Sequence, residues 1–441
     1  MQPIRLSALT SRWLPRTEED LKQAIHDGLL TESHYFDAKR ELSPGKGSNK
    51  ELARDLASFA VDGGTLAIGI EEDKTNRTMM LAPQPLKGLA EKVDQIARST
   101  LIDPPLPVSV REIGSAADPA RGYLLVEIPA SPDAPHMVDG RYYGRSDTTK
   151  IVLSDLEIRR LHERRRLTKD DALALLQYEI DRDPIPAARR NQSHLFLVAQ
   201  PINGHPELLL DVVADGPFSD KVNRIIDAGS TSDIETVLAK VGGSTNEFRI
   251  VYPDLTGLHL GRGAPRADGI ARTNHYLGSG RGLQTATGED ALELEIREDG
   301  GLRVFFGRFS ILVRDPLGDT APAQVVYDIA AVASVRRFLG MVAASASEAG
   351  YLGSWALAVA ATDLRGKPTF LRGDFRLDFD DAPLYTDDVY RRAVLVTRAQ
   401  LLQRPGAITK QLVGALLRAM GTTARYQGVL SDLEPPAIDE S

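Results

Sequence analysis

Two adjacent glycines, Gly63 and Gly64, separate a stretch with helical periodicity from a run that reads as a buried strand. Upstream, Ser48 or Asn49 can cap a helix from about Asn49 to Val61, with Leu52, Leu56, Phe59 and Ala60 on its inner face. Downstream, Thr65 to Glu71 alternates apolar residues and contains Gly69, a pattern that predicts close packing beneath a helix. Glycine adopts backbone conformations that other residues resist, so the pair ends the helix and permits a tight turn into the strand. Helix must therefore lie against sheet in this part of the chain.

Acidic side chains flank that unit. Glu32 and Asp37 lie in the segment Glu32-Ser33-His34-Tyr35-Phe36-Asp37-Ala38-Lys39-Arg40, and Glu72 follows the buried run. Read as a strand, the segment points Tyr35, Asp37 and Lys39 one way and Phe36 and Ala38 the other. A carboxylate and an ammonium then stand side by side on the non-core face. That arrangement suits a divalent metal acting on a phosphodiester, with Lys39 as electrostatic helper. An ordinary ion pair on an edge strand accounts for the same spacing. His34 lies between the two acids and is a candidate phosphate contact. Lys39, Arg40, Lys46, Lys50 and Arg54 follow closely, and such a cluster either holds phosphates or forms a solvated face.

The charge balance limits the choice of partner. The formal net charge is −8, against indiscriminate nucleic-acid binding, yet residues 1–167 hold 24 Lys+Arg against 25 Asp+Glu. A nearly neutral front part can still present a basic groove. The chain has no cysteine, which excludes thiol nucleophiles and cysteine-based zinc sites. The N-terminal residues lack the apolar core of a signal peptide. The most apolar long segment, Ala323 to Ala346, is interrupted by Asp328, Arg336 and Arg337, so a packed helix rather than a membrane span is expected, in a cytoplasmic protein.

Further along, Thr17-Glu18-Glu19-Asp20 predicts a helix start, and Pro83 to Leu101 a third helix. Strands are expected at Pro107–Ile113, Tyr123–Pro129 and Tyr142–Arg145, before a capping box at Ser154-Asp155-Leu156-Glu157 opens an arginine-rich helix. The fold class is α+β or mixed α/β. Residues 1–16 read as an extension, 17–167 as the first domain, 168–191 as helix and linker, 192–430 as a second α/β domain with a mixed sheet, and 431–441 as a disordered tail. In the second domain strands are expected at His194–Ala199, Glu207–Val213, Phe248–Tyr252, Ser354–Ala361 and on both sides of the Asp299-Gly300-Gly301 turn. Long helices are expected at Ala323–Gly350 and Tyr390–Met420.

Several short motifs, in order, carry a resemblance. They are Glu32-Ser33, Asp37-Ala38-Lys39, Ser58-Phe59-Ala60 running into Gly63-Gly64, Ile68-Gly69-Ile70-Glu71-Glu72, and Tyr143-Gly144-Arg145-Ser146-Asp147-Thr148. With these, residues 17–167 resemble the Schlafen AlbA-type domain family, a nucleic-acid-binding domain. The resemblance implies a catalytic and metal-binding trio at Glu32, Asp37 and Glu72, acting on structured RNA such as transfer RNA with Mg²⁺ or Mn²⁺. It places Lys39 beside the reacting phosphate and Arg145 on a neighbouring one. It also implies nucleic acid as partner, RNA rather than DNA, and a role in antiphage defence or stress. Asp37 stands where the family has Glu, Glu72 where it has Asp, and Val61 where it has Asn.

Two other readings remain open from the residues. One is a non-catalytic DNA-binding transcriptional regulator using the same domain, with Arg40, Lys46, Lys50, Arg54 and Arg145 carrying the affinity. The other is a protein-interaction adaptor. A homo-oligomer is compatible with each. The glycine-rich stretches at Leu260–Gly263 and Gly278–Gly282 lack the Gly-Lys-Ser/Thr of a phosphate loop and read as turns.

Overall fold

The computed structural model describes Trp13 and residues 15–43, 45–73, 78–146, 148–202, 204–230, 256–278, 280–283, 290–313, 323–351, 353–369 and 383–432. Two compact units emerge, Met1–Leu167 with Leu352–Ser354, and Thr168–Tyr351 with Trp355–Ser441. The class is α+β.

In the first unit, Thr17 caps α1 (Glu18–His26) reciprocally: its hydroxyl accepts the Asp20 amide, and the Asp20 carboxylate accepts the Thr17 amide. The main sheet runs β1 (Phe36–Lys39), β2 (Gly64–Ile68), β7 (Arg121–Ile128), with β5 (Gln84–Pro85) and β6 (Ser109–Gly114) both paired to β7. β1 and β2 are parallel, with Asp37 opposite Leu66 and Lys39 opposite Ile68. Their crossover is α2 (Lys46–Phe59), which ends just before Gly63-Gly64. Gly63 takes a positive φ of 81° there.

The sheet separates two apolar cores. Leu21 and Ala24 of α1 pack with Phe36, Ala67 and Leu125, while Leu52, Leu56 and Phe59 of α2 and Val93 and Ile96 of α3 (Leu89–Arg98) pack with Leu66, Ile68 and Val126. Each such buried leucine or phenylalanine stabilises the unit by about 1.5–3 kcal/mol. A second small sheet, β8 (Met137–Val138), β9 (Arg141–Arg145) and β10 (Lys150–Val152), lies against α2, with Val138 and Tyr143 in the α2-side core. α4 (Asp155–Asp181) opens on the expected capping box: the Glu157 carboxylate accepts the Ser154 amide at 2.7 Å.

Several expectations are corrected. α2 begins at Lys46 behind Gly45, with no side-chain cap from Ser48 or Asn49. The third helix is shorter than Pro83 to Leu101, because Gln84–Pro85 pairs with β7 and Gly88 holds a left-handed conformation before Leu89. The run from Thr65 to Glu71 is two strands. Gly69, at φ 93°, breaks it, and β3 (Ile70–Asp73) pairs in a separate hairpin with β4 (Thr78–Leu81).

The second unit holds a seven-stranded sheet ordered β12 (Arg262–Arg266), β13 (Gly269–Thr273), β14 (Leu292–Arg297), β15 (Leu302–Phe306), β11 (His194–Pro201), β18 (Ser354–Thr362) and β19 (Tyr390–Thr397). Helices Asp220–Ser230, Asp328–Glu348 and Pro405–Ala419 cover one face. Glu207–Val213 is not a strand but turns plus the short helix Leu210–Ala214, since a brief apolar run fits either period. Tyr390–Met420 begins as β19, where Val394, Val396 and Thr397 favour a strand, and turns helical at Arg398. Ala323–Gly350 likewise opens with a short strand, Ala323–Val326. Helix Asp328–Glu348 is long and apolar enough to cross a membrane by composition, and 89% of its apolar window is buried inside this unit. The strand expected at Phe248–Tyr252 and the tail beyond Asp432 lie outside the described residues, as do most of residues 1–16.

Candidate nucleic-acid and metal site

Alternation on β1 decides where the site forms. Phe36 belongs to the α1-side core, so Asp37 and Lys39 project from the opposite face, toward α2 and β9. That face is covered rather than open: the Asp37 side chain is 18% exposed and Lys39 29%. Glu32 precedes the strand, since β1 starts only at Phe36 after a turn closed by the Ser33–Phe36 bridge.

The first pair of acids is in contact. Burial, then the charges of Asp37 and Glu72, push the Glu32 carboxyl above its ordinary pKa, with a hydrogen bond between Glu32 and Asp37 contributing. Burial also pushes Asp37 up, against the pull of Arg145 and Lys39. Glu72 lies near enough for its charge to raise the Glu32 carboxyl, and it reaches the pair from a separate strand, β3. The break at Gly69 moves Ile70 to the α1-side core, and Glu72 shares the face of β3 that Ile70 occupies. Among the described residues, no group of three or more His, Asp or Glu side chains is arranged to hold a metal ion. In kind, the donors fit a hard divalent cation: all are carboxylate oxygens, and two of them repel each other in a partly buried place.

The described cations of the basic cluster are all engaged. Arg145, its side chain 2% exposed, lies 3.6 Å from Asp37 Oδ2, donates to the carbonyls of Ser33 and Thr148 at 3.3 and 3.1 Å, and stacks 4.1 Å over the Phe59 ring. It is an internal brace. Lys39 Nζ sits 3.0 Å from Asp55 Oδ2, and burial, which alone would lower its pKa, is outweighed by Asp55 and Asp37, which hold the ammonium above its ordinary value. Arg40 donates to both oxygens of Glu71 at 3.1 Å. Lys50 and Arg54 reach Asp139 at 3.0 and 3.4 Å. The Lys46 side chain lies outside the described residues. His34 bridges two acceptors, the Ser146 carbonyl and Asp62 Oδ2, each at 3.2 Å.

Sequence reading missed Asp55, Lys150, Glu51 and Asp62. Asp55 is 3% exposed and anchors Lys39 and Lys150 through opposite oxygens, the latter at 2.7 Å. One signal was available: Glu51 and Asp55 are four apart and share a face of α2. Lys150 gives no local signal, because its partner is 95 residues away.

The raised carboxyls predict a pH effect. A group whose folded pKa is raised contributes stability below its unfolded pKa and loses it as pH rises through the folded value. Glu32 and Asp37 therefore weaken the first unit at neutral pH. Glu32→Gln is expected to raise its melting temperature at pH 7, with the gain vanishing near about pH 4, where the wild-type acid is protonated. Calorimetry at both values checks this, and a variant less stable than wild type at neutral pH would contradict it.

Residues 32–154 match the family model described as Schlafen, AlbA_2. The match covers the whole site and leaves the second unit untouched. It points to a nucleic-acid-related function. No curated protein matches the chain. The solved structure of the DIP2311 protein from Corynebacterium diphtheriae is similar at 22% identity, over 27% of this chain and 22% of that chain, with a TM-score of 0.19. So short and loose a likeness carries no argument about fold or function.

Proposed function

We propose that the first unit binds nucleic acid, RNA in preference to DNA, and cleaves structured RNA such as transfer RNA beside the Glu32–Asp37 pair with Mg²⁺ or Mn²⁺. One observation carries the reading: two acidic side chains stand side by side in a partly buried place, where burial pushes both carboxyls above their ordinary pKa. Such arrangements concentrate at functional sites.

Glu32, Asp37 and Glu72 would hold the cation, which supplies a Lewis acid and an activated water. The remaining roles belong to the chain's own groups. Lys39, fixed by Asp55, places an ammonium where charge develops on a phosphate. Arg145 keeps Asp37 oriented from behind rather than clamping the substrate itself. His34 ties the Glu32 segment to the Asp62 turn and to Ser146.

The test is cleavage of end-labelled transfer RNA with Mn²⁺, beside the thermal shift that the cation alone induces. Asp37→Asn and Glu72→Gln are expected to slow cleavage by about 10²-fold or more and to remove the shift. Wild-type cleavage that both variants retain would exclude this site. A non-catalytic DNA-binding regulator is the second reading, favoured by the pairing of Asp37 with the buried Arg145, which gives that acid a structural role. It requires binding that needs no metal and survives both substitutions.

A further inference from the structure

The charges beside Asp37 come from three elements. β1 supplies Asp37 and Lys39, α2 supplies Glu51 and Asp55, and the β9–β10 ladder supplies Arg145 and Lys150, which stand directly opposite each other. Residues paired in this way keep their side chains about 5 Å apart on one face. Asp37 engages Arg145, and Asp55 engages Lys39 and Lys150. Lys150 thus shares its buried carboxylate with Lys39. Glu51 gives Lys150 a second carboxylate and also lies 3.4 Å from Arg54, and the Lys150 hydrogen bond above all pulls the Glu51 carboxyl below its ordinary pKa.

The two acids on Lys150 differ in freedom. The Asp55 side chain is 4% exposed and pinned between two lysines, whereas Glu51 is 49% exposed. Only Glu51 can leave without stranding a buried charge. An ion pair with one partner half exposed contributes little to stability, so a competing anion can replace that partner. A backbone phosphodiester carries a single negative charge, as Glu51 does, and the exchange conserves the local charge.

We propose that Lys150 is a contact for a backbone phosphate next to the Glu32–Asp37 pair, and that Glu51 is the resident carboxylate which that phosphate displaces. This rests on the nucleic-acid reading above and extends it to a second phosphate and its competitor.

The experiment is fluorescence anisotropy with fluorescein-labelled transfer RNA in EDTA over a series of salt concentrations, so that nothing is cut. Lys150→Gln weakens binding by about three- to tenfold and reduces the steepness of the log–log salt dependence by about 1, while Lys150→Arg retains both. Glu51→Gln tightens binding by about three- to tenfold, more than Glu91→Gln on α3, which reports the general effect of deleting an acid. In the Lys150→Gln background most of that gain is lost, leaving only what release of Arg54, still held by Asp139, contributes. Melting temperatures confirm that each variant folds. A gain from Glu51→Gln that is undiminished without Lys150 overturns the displacement. Lys150→Gln with unchanged affinity and salt dependence overturns the contact. Wild-type protein that binds no transfer RNA at any salt overturns the reading beneath both.

Discussion

Gly64→Ala is expected to cost the first unit roughly 3 kcal/mol, lowering its melting temperature by about 6–12 °C. A Cβ at Gly64 would lie 2.3 and 2.7 Å from Phe59 Cδ1 and Cε1, and 2.8 Å from the Tyr35 carbonyl oxygen. Neither neighbour can yield. The Tyr35 carbonyl accepts the Thr65 amide at 2.8 Å, a bond that joins the start of β2 to the residue before β1. The Phe59 ring is 1% exposed and has the Arg145 guanidinium stacked on its face. Pushing the ring therefore moves Arg145, and with it the group that orients Asp37. Gly47→Ala makes the contrast, since a Cβ there meets nothing within 4 Å and the position is helical. Alanine at that position should be neutral or stabilise by up to about 1 kcal/mol. Calorimetry with hydrogen exchange over residues 33–68 measures both. A Gly64→Ala protein that melts and exchanges like wild type would show that the helix, turn and strand are not packed this closely.

Those glycines also mark where sequence reading was strong and where it failed. Helix, turn and strand across Gly63-Gly64 follow from local rules, because the backbone requirement and the residue that meets it are adjacent. The faces of Phe36, Asp37 and Lys39 follow from alternation alone. Gly69 was harder. In a run of apolar residues it reads as a close-packing position, and it is one, with a Cβ there 2.9 Å from the Gly122 carbonyl oxygen. Its positive φ also ends the strand, however, and that break puts Glu72 on a separate strand, β3, paired with β4 rather than with the main sheet. The basic run Lys39, Arg40, Lys50 and Arg54 looks unopposed in one dimension. Its partners Asp55, Glu71 and Asp139 meet it only in the fold, and beyond the Glu51–Asp55 spacing the balance of 24 basic against 25 acidic residues in 1–167 was the hint of them.

Arg145→Met is expected to be the most damaging single change at the site itself. The arginine is almost wholly buried, and its loss removes a cation from Asp37, two donors from the Ser33 and Thr148 carbonyls, and a flat partner from Phe59. Removing one side of a buried pair costs about 3–5 kcal/mol, and Asp37, being 18% exposed, recovers part of that from water, so about 2–4 kcal/mol is expected. The penalty should depend on pH. Arg145 pulls the Asp37 pKa down against burial, so without it the carboxyl rises further, and stability is lost as pH rises through that higher value. Arg145→Met should therefore be closer to wild type near about pH 4 than at pH 7. Arg145→Lys keeps the charge but not the planar fork, so it should restore the pH behaviour more than the overall stability. Denaturation of the three proteins at both pH values, followed by hydrogen exchange in β1, separates the contributions. A penalty equal at the two pH values would mean that Arg145 acts through packing on Phe59 and not through Asp37.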